Sequence, residues 1–227
     1  DAMESPTLRH EYKFPLSGAD TVWLERRLRQ VFPHDPHADP ATGGYTIRSL
    51  YFDDWRDRAL WEKLDGVDPR SKFRIRIYNG SDGFIVLEKK HKCGALTKKE
   101  QSMLSRVECD RILSGDIQFL REGDAVRQSL YREMMENGAH GKTIVEYDRC
   151  AFVYEPGNVR ITIDKNIRSG VYDTALFGKP FLIPAGADHV LEVKFDTYLP
   201  ELVRLTVSPL DVCRFSLSKY AVCRRFG

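Results

Sequence analysis

A chain of 227 residues, 42% of them hydrophobic, is long enough for one large domain with a sizeable core. Charged residues make up 30%, yet 35 Lys and Arg against 33 Asp and Glu leave a net charge of only +2. That balance excludes a chain basic in bulk, so neither a nucleic-acid nor a membrane partner is expected from it. No apolar run approaches the ~20 residues of a membrane-spanning helix. Five cysteines (Cys93, Cys109, Cys150, Cys213 and Cys223) form no CxxC pair and no zinc spacing with histidine. Free thiols in a reducing, cytoplasmic setting are therefore expected. Asp1–Pro6 are set aside as an expression remnant or ragged terminus. A single domain is expected over residues 7–227.

In chain order, Arg9–Phe14 reads as a short strand, and Ala19–Phe32 has helical spacing through Leu24, Leu28, Val31 and Phe32. Residues 33–44 are loop by their prolines and glycines. Tyr45–Asp53 is a strand, and Trp55–Leu64 a helix. Lys72–Tyr78 and Phe84–His91 form a hairpin about Asn79–Gly83, with a third strand over Thr97–Met103 after a turn at Cys93-Gly94. Ser105–Leu113 and Gly123–Glu136 read as helices. Lys142–Tyr154 and Val159–Ile167 pair across Glu155-Pro156-Gly157-Asn158. Ala187–Phe195 is a strand, Glu201–Thr206 is ambiguous, and Ser208 caps a last helix running to about Arg224. Strands joined by hairpins or helices predict an α+β fold with a mainly antiparallel sheet.

The chemistry lies in how those strands are charged. Side chains alternate faces along a strand, so parity sorts them. Lys72, Arg74, Arg76 and Tyr78 oppose Phe73, Ile75 and Ile77; Glu88 and Lys90 share a face; Arg160, Thr162 and Asp164 oppose Ile161 and Ile163; Glu192 and Lys194 oppose Leu191, Val193 and Phe195; Glu11 and Lys13 share a face. One such strand is ordinary amphipathic sheet with a solvated side. Five, all using long Arg, Lys and Glu side chains, predict helices on the apolar faces and a closed antiparallel β-tunnel with a charged lumen. Neighbouring like charges such as Arg74 and Arg76 repel unless an anion or acid lies between them. Converging Arg and Lys suit phosphate. Glu11, Glu88, Asp164 and Glu192 are hard oxygen ligands suited to Mg²⁺ or Mn²⁺. Phosphoryl transfer needs this combination of cations and metal around phosphate oxygens. The chain has no GxxxxGK[ST], GxGxxG or GxSxG motif. Its six histidines are scattered, and Trp23, Trp55 and Trp61 read as packing residues.

At these residues the sequence resembles the VTC domain of polyphosphate polymerases, within the triphosphate tunnel metalloenzyme (CYTH-like) superfamily. The likeness runs from Arg9 to Arg225 through Glu11-Tyr12-Lys13, Ser49-Leu50-Tyr51-Phe52-Asp53, Arg74-Ile75-Arg76 and Leu87-Glu88-Lys89-Lys90. It continues through Tyr147-Asp148-Arg149, Val159–Asp164, Leu191-Glu192-Val193-Lys194 and Ser218-Lys219-Tyr220. The resemblance implies a tunnel of about eight strands with a C-terminal helix, binding ATP and polyphosphate or another triphosphate. It implies phosphate ligands at Lys13, Arg74, Arg76, Lys90, Arg149, Arg160 and Lys219, hydrogen bonds from Tyr147 and Ser218, and a third-strand lysine, for which Lys98 is preferred to Lys99. Arg74, Arg76, Lys90 and Glu192 would be catalytic, with Mn²⁺ or Mg²⁺ on Glu192 and Glu11 a second candidate ligand. Arg9 stands where triphosphatases carry the first Glu of Glu-x-Glu-x-Lys, which favours an ATP-dependent polyphosphate polymerase. Ser216 stands where polymerases carry a Lys, with Arg214 the nearest basic residue. A tri- or polyphosphatase and a non-catalytic phosphate-binding module are the alternatives.

Overall fold

A computed structural model describes residues 9–94, 96–170, 173–186, 189–208 and 217–224. Residues 1–6 of the expected ragged terminus, Cys213, Arg214 and Ser216 lie outside them. The strands are β1 (His10–Leu16), β2 (Gly44–Asp53), β3 (Arg70–Tyr78), β4 (Ser81–Cys93), β5 (Leu96–Leu104), β6 (His140–Tyr154), β7 (Val159–Gly170), β8 (Ile183–Pro184) and β9 (His189–Phe195). The α-helices are α1 (Gly18–Val31), α2 (Arg58–Leu64), α3 (Arg106–Ser114), α4 (Ala125–Asn137), α5 (Glu201–Val207) and α6 (Lys219–Cys223).

The strands bond in the order β1-β9-β7-β6-β2-β3-β4-β5, with β8 beside β7. The α+β class and the antiparallel sheet of eight to nine strands follow the sequence expectation. The closed tunnel does not: the order ends on β1 and β5, so the sheet is open. Parity reports which face a side chain takes, whereas closure requires the two outer strands to pair, and no ladder among the described residues joins them.

The chain forms two compact units, the first of residues 1–46, 147–167 and 184–217, the second of residues 47–146, 168–183 and 218–227. In the first, β1 pairs β9 with Tyr12 opposite Val193 and Phe14 opposite Leu191, and β7 pairs β9 with Ile161 opposite Val193 and Ile163 opposite Leu191. These apolar rungs meet Leu24 and Leu28 of α1 and Val203 of α5 in one core. A capping box starts α1: the Ser17 hydroxyl accepts from the Asp20 amide at 3.1 Å, and the Asp20 carboxylate accepts from the Ser17 amide.

In the second unit, Leu50, Phe52, Phe73, Ile75, Ile77, Ile85 and Leu87 face Cys109 and Ile112 of α3 and Val126 and Leu130 of α4. The helices therefore lie on the apolar face, as predicted, and the charged positions take the other. The β3–β4 turn is tighter than the composition indicated. Asn79 (φ 51) and Gly80 (φ 68) alone make it, because both adopt the left-handed backbone of a two-residue hairpin, so β4 begins at Ser81.

Two local expectations change. Ser208 is the C-cap of α5, its amide donating to the Arg204 carbonyl, and the helix expected to start there runs into residues 209–216, outside those described. Ser218 caps α6, accepting from the Ala221 amide. The three tryptophans, expected to pack, are exposed; Arg27 lies over Trp23 at 5.3 Å and Arg56 over Trp55 at 4.4 Å. Trp23 of α1 and Trp61 of α2 lie outside the buried stripe of their helices, and Trp55 precedes α2.

Candidate functional site: two charged clusters

The second unit carries a cluster in rungs across β2 to β5. Cross-strand partners share a face, so register assigns the neighbours. One rung is Lys72, Lys90 and Lys99, on β3, β4 and β5. The next is Tyr51, Arg74, Glu88 and Gln101, on β2 to β5. Ser49 lies opposite Arg76 on the third. Glu88 is 2% exposed, and three cations surround it: Arg74 Nε at 2.5 Å, Lys99 Nζ at 3.0 Å and Arg76 Nη1 at 3.6 Å. Gln101 donates to it at 2.9 Å. Burial alone would raise this carboxyl, but Arg74, Arg76 and Lys99 hold it well below the usual carboxylate range. Desolvation draws the Lys99 ammonium down, with Arg76 and Arg74 acting in the same direction. Arg74 Nη1 donates to the Tyr51 hydroxyl at 2.7 Å, and Lys72 Nζ donates to Ser218 Oγ at 3.3 Å. Lys219 follows as the first residue of α6 and is half-buried.

Arg74, Arg76 and Lys90 thus fall together. Lys98 does not: it lies opposite His91 and pairs with Glu100 at 2.9 Å, on the other face, and Lys99 takes the expected place. Cys93 lies opposite Leu96, and counting back along the ladder sets Lys90 against Lys99. Tyr51 and Gln101 carry no mark along their own strands, and the choice between Lys98 and Lys99 needs the neighbouring strand, because parity along one strand cannot choose its neighbour on the next.

The first unit carries the other cluster. Lys13 lies opposite Glu192, and Glu192 opposite Thr162; Glu11 lies opposite Lys194, and Lys194 opposite Arg160. Lys13 Nζ is 3.1 Å from Glu11 and 3.4 Å from Glu192, and also donates to the Leu217 carbonyl at 3.2 Å. Arg149 clasps Asp164 through two hydrogen bonds of 2.7 and 2.8 Å and reaches Glu192 at 3.7 Å. Its guanidinium lies 5.4 Å from the centre of the buried Tyr147 ring. Although burial opposes it, Asp164, Tyr147 and Glu192 raise the Arg149 guanidinium well above its ordinary value, so it stays charged. Lys194 Nζ is 3.5 Å from Glu192; desolvation, with Arg149 and Lys13 nearby, lowers its ammonium against the pull of Glu192 and Glu11. Arg160 donates to the Tyr45 hydroxyl at 2.8 Å and pairs with buried Asp35. Gly44 lets β2 approach this cluster closely, since a Cβ there would stand 2.6 Å from the Arg149 carbonyl oxygen.

Of the four acids considered as metal ligands, Glu88 and Asp164 are clasped by arginine. Glu192 meets Lys13 at 3.4 Å, Lys194 at 3.5 Å and Arg149 at 3.7 Å, and Glu11 meets Lys13 at 3.1 Å. The Thr162 hydroxyl, opposite Glu192, is buried with no hydrogen-bond partner among the described residues. Two carboxylates and a hydroxyl are hard oxygen donors, which fits Mg²⁺ or Mn²⁺ held by one or two carboxylates with its coordination completed by phosphate and water. Arg9, at the position where an additional acid was considered, pairs with Asp196 at 2.8 Å.

The VTC domain matches this chain over residues 8–226. No curated protein matches it. Among solved structures, the Hippeastrum protein HpAC1, a candidate adenylyl cyclase with a dominant triphosphatase activity, is similar at TM-score 0.57 and 15% identity, over 96% of this chain and 94% of that one. A candidate adenylate cyclase of Bacillus halodurans is similar at TM-score 0.55 and 14% identity, over 93% and 94%. A candidate adenylate cyclase of Vibrio parahaemolyticus is similar at TM-score 0.53 and 12% identity, over 96% and 98%. At these identities the structures show kinship of fold, while the match over nearly the whole sequence shows the family: this chain belongs to the VTC domain family.

Proposed function

We propose that the chain is a polyphosphate polymerase-like phosphotransferase, passing the γ-phosphate of ATP to the end of a growing polyphosphate chain. The observation that carries the reading is the rung of Lys72, Lys90 and Lys99 next to Arg74 and Arg76, five cations gathered around the buried carboxylate Glu88 on adjoining strands. Like charges directly opposite one another across strands destabilise a sheet. An anion bearing many oxygens relieves that repulsion, and phosphate matches the forked donors of Arg74 and Arg76.

In this reading Arg74, Arg76, Lys90 and Lys99 bind and orient phosphate oxygens, with Ser218 and Lys219 completing the cluster of the second unit. In the first unit Lys13, Arg149 and Arg160 bind phosphate and Tyr147 supports Arg149. Glu192, with Glu11 beside it, would hold Mn²⁺ or Mg²⁺, which neutralises charge developing on phosphate oxygens. No side-chain nucleophile is required, because the attacking group is a terminal phosphate oxygen. What the protein supplies is alignment and electrostatic stabilisation.

Transfer to water by the same residues is the second reading, favoured by the triphosphatase activity of the Hippeastrum protein. The replacement of an acid by Arg9 speaks against it. Incubation with ATP and Mn²⁺ followed by product analysis separates the two: long-chain polyphosphate marks the polymerase, free phosphate alone the hydrolase, and binding without turnover a recognition module. Arg74→Ala and Glu192→Ala are each expected to lower product formation at least 100-fold while the circular dichroism spectrum is kept. Unchanged synthesis in both rejects the assignment.

A further inference from the structure

The aromatic and acidic groups beneath α6 are not absorbed by the phosphate reading. Tyr220, 1% exposed, stacks on Tyr51 with ring centres 5.0 Å apart and planes at 23°. Its hydroxyl donates to Asp53 Oδ2 at 2.5 Å. Asp53 is itself fixed: it accepts from the amides of Asp54 at 2.9 Å, Ala59 at 2.8 Å and Leu60 at 3.2 Å, joining the end of β2 to the start of α2. The far end of α6 is tied as well, by Arg224 to Asp57 at 2.7 Å and by the Ser169 hydroxyl to the Cys223 carbonyl at 2.7 Å.

Two paths lead from this anchor to the cationic cluster. Through Tyr51, whose hydroxyl accepts from Arg74, the ring stack bears on the guanidinium. Through the helix, Tyr220 sets the neighbouring Ser218, which accepts from Lys72, and Lys219. A helix of five residues cannot hold its own place, since an isolated helix that short is unstable in water. Side chains that must meet phosphate within a few tenths of an ångström need such support.

The geometry points to Tyr220 and Asp53 as positioning residues for phosphate: their hydrogen bond, with the Tyr51 stack, sets Ser218, Lys219 and Arg74 for an incoming oligophosphate. This rests on the phosphate reading of the cluster. Tyr220 touches no substrate; it acts through its neighbours.

The test uses the full chain, inorganic tripolyphosphate as probe and titration calorimetry. Tyr220→Phe keeps the ring and removes the hydroxyl, and is expected to weaken binding about tenfold, the worth of one hydrogen bond to a charged group. In a Lys219→Ala background the same change is expected to cost measurably less than tenfold, because one of the three positioned groups is gone. An undiminished tenfold effect there marks Tyr220 as generally structural and overturns the proposal, as does wild-type affinity in Tyr220→Phe. Should Tyr220→Phe lose its near-ultraviolet circular dichroism, Arg224→Gln loosens the other end of α6. Weakened binding by that folded variant supports the proposal, and wild-type affinity overturns it. A wild-type chain that does not bind tripolyphosphate removes the phosphate reading itself, a failure distinct from that of the positioning claim.

Discussion

Glu88 shows what a single buried carboxylate does among cations. Neutralising it takes away the buried anion that Arg74, Arg76 and Lys99 share. Glu88→Gln is therefore expected to destabilise the fold by about 3–5 kcal/mol, measured by urea unfolding at neutral pH. The pH dependence has a definite sign. Because the folded-state carboxyl is held below its unfolded value, its contribution is present above about pH 4.3 and is lost as pH falls through the folded value. Glu88→Gln should lack that part of the acid dependence, so the gap between it and wild type narrows towards pH 3. A constant gap between pH 7 and pH 3 would contradict the assignment. Tripolyphosphate should also stabilise Glu88→Gln, by replacing the missing negative charge.

At the scale of elements, the β4–β5 hairpin decides which lysine joins the cluster. Its register places Lys99 opposite Lys90 and sends Lys98 to Glu100. Lys99→Ala is expected to lower tripolyphosphate affinity about tenfold or more, and Lys98→Ala less than about twofold, by calorimetry. The reverse ranking would mean that the register is displaced by one residue in the bound protein. The helices are legible from local chemistry. Ser17 with Asp20 and Ser105 with Glu108 are capping boxes, and the apolar stripes of α1, α3 and α4 name the sheet face they cover. The C-terminal helix was read less well. Its true cap is Ser218, and its place depends on Asp53 and Tyr51, more than 160 residues away in sequence.

At the scale of the whole molecule, a net charge of +2 hides local concentrations of Lys and Arg, which on the proposed reading attract a polyanion. The attraction should be strongly sensitive to salt, because screening shortens to about 3 Å near 1 M ionic strength. Raising salt from roughly 0.05 M to about 0.5 M is expected to weaken tripolyphosphate binding by ten- to a hundredfold. An affinity independent of salt would argue that the clusters are spent on internal ion pairs. Among the described residues no helix is long and apolar enough to cross a membrane.

The sequence by itself determined the long strands, their charged and apolar faces, the helices α1, α3 and α4 that cover the apolar side, and the family. Each of these follows from period-two alternation, local capping or ordered motifs, which need no knowledge of distant neighbours. Only the tertiary structure decided that Lys99 and not Lys98 joins Glu88, that Asp164 is clasped by Arg149, that Tyr220 rests on Asp53 and Tyr51, and that the sheet is open. Those are relations between segments far apart in the chain. Register, salt-bridge choice and strand closure are set by which backbones pair, and alternation along one strand carries no information about its partner.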